Sequence, residues 1–247
     1  MKSFIFILFL MMTTPAIRSV PAFAQTKVTV NQTTLEELNQ LTPEISTEEL
    51  KKILESNSEP VLDVRSATEY SIAHIPGSIN VYEKEIERVR QLFPDKAAQF
   101  ILYCNGPFCG KSKRLSEQLV KLGYTKVRRY QLGLPVWRAL GNTVQTDLEG
   151  FRYVFAKDKT AVYVDARSTL DFQKETLPGA VNIQQREAEK ANEDGRLPYR
   201  DKGTRVIVFA NSGADARRVA EEIAKKAYWN SSYFAGAFAD LKHAQLW

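Results

Sequence analysis

Two cysteines, Cys104 and Cys109, and two histidines, His74 and His243, are all that 247 residues contain of either type. Two cysteines five apart cannot staple a domain, so a disulfide framework is excluded. They are too few for a structural zinc site, and the histidines do not make up the difference, so no metal site is expected. There is no basic arm or stripe of the kind that tracks a phosphate backbone, which argues against nucleic-acid binding. No long polar or low-complexity tract interrupts the chain, and hydrophobic and charged contents of 44% and 26% are ordinary for a globular protein. Both halves should therefore bury a core.

A bilayer span needs about 20 apolar residues, and the run from Phe4 to Met12 stops well short of that. Lys2 before it and the small-x-small site Ala22-Phe23-Ala24 after it make residues 1–24 read as a secretory signal, cleaved after Ala24. The mature chain is then expected to be periplasmic or secreted, with no stable membrane span. Removing those residues takes away Lys2 and Arg18 and no acid from a net charge of +5. What remains is mildly basic with both signs interspersed, as a solvated surface would be.

What is present is a repeat. Asp63 and Asp165 stand 102 apart, and the same offset relates Arg65 to Arg167, Pro76 to Pro178, Gly77 to Gly179 and Asn80 to Asn182. Gln99–Cys104 parallels Arg205–Ala210, and Tyr130–Gly133 parallels Tyr233–Gly236. The repeats run over about 43–142 and 148–247, joined through the loop-type cluster Gly141-Asn142-Thr143. Residues 25–42 belong to neither and are expected to form an extended arm.

Each repeat reads as an α/β unit. Ser46-Thr-Glu-Glu49 looks like a capping box opening an amphipathic helix. Val61–Val64, Phe100–Tyr103 and Val127–Tyr130 are short apolar strands, and His74-Ile-Pro-Gly77 is a turn. Lys113–Leu122 carries a helical apolar stripe closing at Gly123. Short buried strands alternating with helices imply, in each repeat, a mostly parallel sheet flanked by helices on both faces.

Cys104 ends the second of these strands, and Asn105-Gly-Pro-Phe-Cys-Gly110 leads from it into a helix. Ligands of parallel sheets bind beyond the strand carboxyl ends. A loop closing on a helix N-terminus aims backbone N–H groups at its centre, which favours a thiolate. An ordinary cysteine is about 3% thiolate at pH 7, and a pKa ~2 units lower would make it roughly three-quarters thiolate. Lys111, Lys113 and Arg114 add cations, Lys111 being best placed to face an anion. This reading requires inward-pointing amides. A thiol sealed in apolar packing, or faced by carbonyls, would collapse the catalytic reading and leave the duplicated fold standing. Asp63 and Arg65 are read as supports of the loop, His74 as satisfying backbone groups at its turn, and Trp137, Trp229 and Trp247 as packing residues.

The segments LDVRSATEYSIAHIPGSINV and FILYCNGPFCGKSKRLSEQLVKLGY resemble the two signature regions of the rhodanese family. The resemblance spans both repeats and implies a tandem rhodanese-like fold. Family members are typically sulfurtransferases, so it implies Cys104 as the nucleophile that becomes a persulfide. Asn105, Gly106, Pro107, Phe108, Cys109, Gly110, Lys111 and Ser112 would form the substrate-binding loop. The implied partners are a sulfur donor and a thiol or protein acceptor, with no cofactor. The loop departs from the family pattern in being two residues longer before its basic residue, which suggests a wider pocket. Gly110 stands where the related phosphatases carry arginine, so phosphatase chemistry is not expected. In the second repeat Ala210 replaces the nucleophile and Asp215 the basic residue, so that copy should be silent. Two rival readings stay open: a thiol–disulfide redox protein with Cys109 as the resolving thiol, and a non-catalytic binding module.

Overall fold

The computed structural model describes residues 29–247, so the expected signal segment lies outside the described residues. The first repeat contains α1 (Thr47–Ser56), β1 (Val61–Asp63), α2 (Ala67–Ile72), β2 (Ile79–Asn80), α3 (Ile86–Leu92), β3 (Gln99–Tyr103), α4 (Lys111–Lys121), β4 (Lys126–Tyr130) and α5 (Gly133–Ala139). Strand β5 (Val144–Thr146) precedes the second repeat, which contains α6 (Leu148–Lys157), β6 (Val162–Asp165), α7 (Thr169–Lys174), β7 (Val181–Asn182), α8 (Ala188–Glu193), β8 (Val206–Phe209), α9 (Gly213–Ala224), β9 (Ser231–Phe234) and α10 (Phe238–His243). Their sheets run β2-β1-β3-β4 and β5-β9-β8-β6-β7. Every strand pair in both is parallel. Both sheets carry helices on their two faces, the fold class expected.

The strands are short and apolar throughout because both faces are covered. Ile101 and Tyr103 of β3 join a core with Ile45, Leu50 and Trp137, whereas Phe100 and Leu102 join one with Leu115 and Leu119 of α4. The second sheet divides likewise, Val206 and Val208 to one side and Ile207 and Phe209 to the other.

Local signals account for the element ends, with one exchange. Ser46 Oγ accepts the Glu49 N–H, but the Glu49 carboxylate turns to Arg128 instead of completing a capping box. The complete box occurs at α2, where Ser66 and Glu69 satisfy each other's backbone. Helix α4 ends as expected at Gly123, φ +91°, with the Gly123 and Tyr124 N–H groups reaching back to Val120 and Leu119. Pro76-Gly77 forms the expected turn, closed by Ser78 N–H to Ile75 O at 3.1 Å, and Tyr103 Oη pins it by accepting the Ile75 N–H.

The described part of the arm is not a free extension. Thr42 Oγ1 lies 3.0 Å from Ser116 Oγ of α4, and Glu44, just past the arm, bridges in parallel to Arg129 of β4. The repeats also touch. His74 and Gln145 exchange two backbone hydrogen bonds of 3.0 and 2.9 Å, and the Asp147 N–H donates to Ser71 O. A Cβ on Gly150 would lie 1.9 Å from Ser71 O, so α6 can approach α2 only through a glycine there.

Candidate active site

Cys104 sits just past the end of β3, between Tyr103 and the loop that leads to α4. The neighbouring strand ends bring up its supports. Arg65, just beyond β1, donates from Nε and Nη2 to the Asp63 carboxylate, at 2.9 and 2.5 Å for the two nearest contacts. Its Nη2 also reaches Ala73 O at 2.6 Å, and its Nη1 reaches Asn105 Oδ1 at 3.2 Å. Asp63 and Arg65 are both buried, and the pair reaches the first loop residue through Asn105. Asn80 Nδ2 ties the same corner by donating to Asp63 O and Arg65 O.

Asn105 Nδ2 in turn donates to Glu69 Oε1 at 2.5 Å, and Lys111 Nζ lies 3.3 Å from Glu69 Oε2. Burial alone would raise the Glu69 pKa. Hydrogen bonds from Ser66 and Asn105 and the charge of Lys111 overcome it and hold the carboxyl down at about 2. Lys111 therefore faces an anion, but one the protein itself supplies. Lys113 pairs with Glu37 at 3.2 Å and Arg114 with Glu83 at 2.7 Å. The three cations expected to favour a thiolate are each paired with a carboxylate.

The largest departure from expectation is the state of the sulfur. Cys104 is 1% exposed and packs with Leu115, Leu119 and Val81. The loop tightens into a turn, Cys109 N–H to Gly106 O at 2.9 Å, and the Cys109 carbonyl comes to rest 3.2 Å from Cys104 Sγ. Ser112 offers the opposite polarity, its hydroxyl at 3.4 Å and its backbone N–H directed at the sulfur. Burial dominates, the hydrogen bonding with Cys109 adds to it, and the thiol is pushed up to about 11 despite Ser112. The lowered pKa and the ring of inward amides are thus corrected: the closed loop is the arrangement that defeats a thiolate at Cys104, and the catalytic reading survives only for an opened loop. In this arrangement Cys104 is a protonated thiol beneath a carbonyl.

Gln131, buried at the strand end next to β3, holds the loop in this arrangement. Its Nε2 donates to Pro107 O at 3.1 Å and to Cys109 O at 3.4 Å, turning loop carbonyls inward. Its Oε1 accepts from Ser112 Oγ and from Arg129 Nη1. Arg129 is itself buried and bound by Thr42, Glu37 and Gln40 of the arm. The two extra loop residues do not widen a pocket here; they fold over the sulfur. Phe108 at the tip is fully exposed. Gly133 lets this happen, since a Cβ there would stand 2.3 Å from the Gly106 nitrogen. Gln131, Arg129 and Glu69 were not singled out from the sequence. Gln131 lies in the repeat-matched Tyr130–Gly133 stretch at a strand carboxyl end, which was signal enough to weigh it.

Cys109 is a free thiol, half-buried against the Cys104 core, and no disulfide joins the two. His74 stacks on Tyr70, with centroids 3.7 Å apart, and its Nδ1 donates to Tyr70 O, the structural part expected. Burial lowers its pKa. Among the described residues no group of three or more histidine, cysteine, aspartate or glutamate side chains is placed to hold a metal ion, and no helix is long and apolar enough to cross a membrane.

In the second repeat Arg167 and Asp165 repeat the buried pair at 2.7 Å, and Asn182 repeats the Asn80 contacts. The loop does not repeat. Helix α9 begins at Gly213, three residues after Ala210, with Ser212 Oγ accepting the Asp215 N–H. Asp215 does not point into an anion cradle. It accepts from Ser212 Oγ at 2.6 Å and pairs with Arg218.

The family model for the rhodanese-like domain matches residues 46–140 and again 155–244. The chain belongs to the rhodanese-like family. It resembles the thiosulfate sulfurtransferase PspE of Escherichia coli, 38% identical over 68 residues, covering 27% of this chain and 62% of that protein. It also resembles the human thiosulfate:glutathione sulfurtransferase, 33% identical over 107 residues, covering 38% of this chain and 92% of that one. A solved thiosulfate sulfurtransferase from Pseudomonas aeruginosa aligns with 82% of this rhodanese-like chain and 42% of its own, at 19% identity and a TM-score of 0.39. This chain therefore spans less than two thirds of the E. coli protein and less than half of the P. aeruginosa chain.

Proposed function

We propose that this rhodanese-like chain is an exported sulfurtransferase carrying a sulfane sulfur on Cys104. The observation that carries the reading is the position of the sulfur. It lies at the carboxyl end of a central strand, against the first turn of α4, whose N-cap Gly110 makes no side-chain cap. The Ser112 N–H directed at the sulfur belongs to that uncapped turn. The sulfurtransferase relatives support sulfur transfer in general.

In the proposed cycle the Cys104 thiolate attacks the outer sulfur of a donor such as thiosulfate. A new S–S bond forms, the S–SO3 bond breaks, and sulfite leaves with the electron pair. An acceptor thiolate or cyanide then attacks the terminal sulfur, takes it up, and returns Cys104 as thiolate. The closed loop sets a condition on the first step. The Cys109 carbonyl has to turn away so that amides of the Cys109–Ser112 segment replace it around the anion. Intact mass after incubation with thiosulfate should rise by one sulfur, and thiocyanate should form when cyanide follows. Cys104→Ser should abolish both; retention of the full rate by that variant removes the assignment.

The buried, protonated thiol favours a second reading, a non-catalytic binding module. It predicts that thiosulfate leaves the mass unchanged and that iodoacetamide labels Cys104 no faster than a peptide thiol. The nearness of Cys109 supplies the redox rival, in which oxidation removes two hydrogens to close a Cys104–Cys109 disulfide instead of adding sulfur.

A further inference from the structure

A cavity of about 1280 Å³ contains no residue of the Cys104 loop. It lies between the repeats at the opposite pole. Gly77 precedes β2, Thr143 precedes β5 and Trp229 precedes β9, so the amino ends of strands open onto it, whereas Cys104 stands at a carboxyl end. Its two walls are α1 with the end of α5, and α9 with the segment leading into β9.

Arg138, on the last turn of α5, lines this cleft. Its Nε and Nη2 are closed off from solvent and have no hydrogen-bond partner among the described residues. No carboxylate among those residues pairs with it. Glu221, across the cleft, is bound by Arg217 at 2.7 Å. Burial and then the repulsion of Arg205 and Arg65 push Arg138 down to about 9. A guanidinium is the side chain least able to relieve such a position by losing its proton, and unpaired buried charge is expensive. The lining adds Lys51 and Lys225, both exposed and neither paired with an acid among the described residues, against the single unpaired carboxylate of Glu55. Trp229, read from sequence as a packing residue, is instead half exposed on the same wall.

We propose that this cleft binds an organic anion, its carboxylate or phosphate paired with Arg138 and its flat apolar body laid against Trp229. The five fixed donors of a guanidinium suit either planar or tetrahedral oxyanions. Spanning both repeats, the ligand would tie them together. The site is independent of any sulfur chemistry at Cys104.

Calorimetry and tryptophan fluorescence of the full chain with benzoate, phenyl phosphate, inorganic phosphate and benzyl alcohol would test it. Benzoate or phenyl phosphate should bind and perturb Trp fluorescence, and benzyl alcohol should not. Preference between the two anions identifies carboxylate or phosphate as the cognate group. Arg138→Met should weaken the anion about tenfold or more and leave the thermal midpoint unchanged or higher, because the unpaired charge is gone. Trp229→Ala should weaken the aromatic anions and not inorganic phosphate. The proposal is overturned if no anion binds, if benzyl alcohol binds as well as benzoate, or if Arg138→Met binds normally. A lowered thermal midpoint in Arg138→Met would also overturn it, by showing that the guanidinium serves the fold.

Discussion

The two repeats agree where a buried charge is at stake and part company where a sulfur would sit. In both, an arginine two residues past an aspartate folds back on it, and an asparagine seventeen residues on holds the carbonyls of both. Beyond that frame the first repeat spends six residues between Cys104 and its helix, and the second spends two after Ala210. Helix α9 is closed by its own Ser212 and Asp215, whereas α4 opens from an uncapped glycine. The frame is what the fold requires; the free helix end is what chemistry could use.

The comparison breaks most readily at the buried pairs. Asp63→Ala and Asp165→Ala each strand an arginine in the interior, and each should cost about 3–5 kcal/mol, read by urea unfolding. A tolerant second repeat would mean that the two frames are not equivalent. Next comes the pH dependence of Cys104. With a thiol near 11, alkylation by iodoacetamide should climb about tenfold per pH unit from 7 towards 10 and level near 11. The same titration acts on stability. A folded-state pKa above the unfolded thiol's ~8.5 gives stability that is complete below that value and is lost as pH rises towards 11. A plateau in alkylation near pH 7 would mean that the loop opens readily in solution.

Gln131→Ala should release the Pro107 and Cys109 carbonyls and speed alkylation of Cys104 at pH 7 several-fold, roughly the effect of a pKa lower by up to one unit. An unchanged rate would show that burial alone holds the proton. Ser212→Ala should cost about 1 kcal/mol in the second repeat. Smallest of all is Ala210→Cys, which should gain no sulfur from thiosulfate, because Ser212 already claims the Asp215 N–H at that helix end. A persulfide at position 210 would show that the cysteine, and not its loop, separates the copies.

Most of the frame was legible in the sequence. The offset of 102 exposed the duplication, apolar runs located β1, β3 and β4, and Gly123 marked the end of α4. The pairing of Asp63 with Arg65 follows from their spacing, because a buried Asp-x-Arg has few other ways to satisfy both charges. The loop was not legible. Whether a peptide group shows its N–H or its C=O to a sulfur depends on one crankshaft turn, and the Gln131 amide that binds the loop carbonyls is distant in sequence. The pairing of Lys111, Lys113 and Arg114 likewise depended on Glu69, Glu37 and Glu83 arriving from other elements. The capping box was assigned to Ser46 instead of Ser66 because the motif does not reveal that Arg128 claims Glu49.

The strand β5 has a bearing on how the molecule can be dissected. It is the outer rail of the second sheet, yet it precedes the second repeat in sequence and is stitched to His74 of the first. A fragment started at residue 148 would leave β9 with a bare flank, an open template for other chains. One started at Asn142 would keep that flank covered and surrender the stitch and the packing of α6 on α2. Comparing the aggregation of the two fragments would tell how far each half of the molecule depends on the other for its solubility.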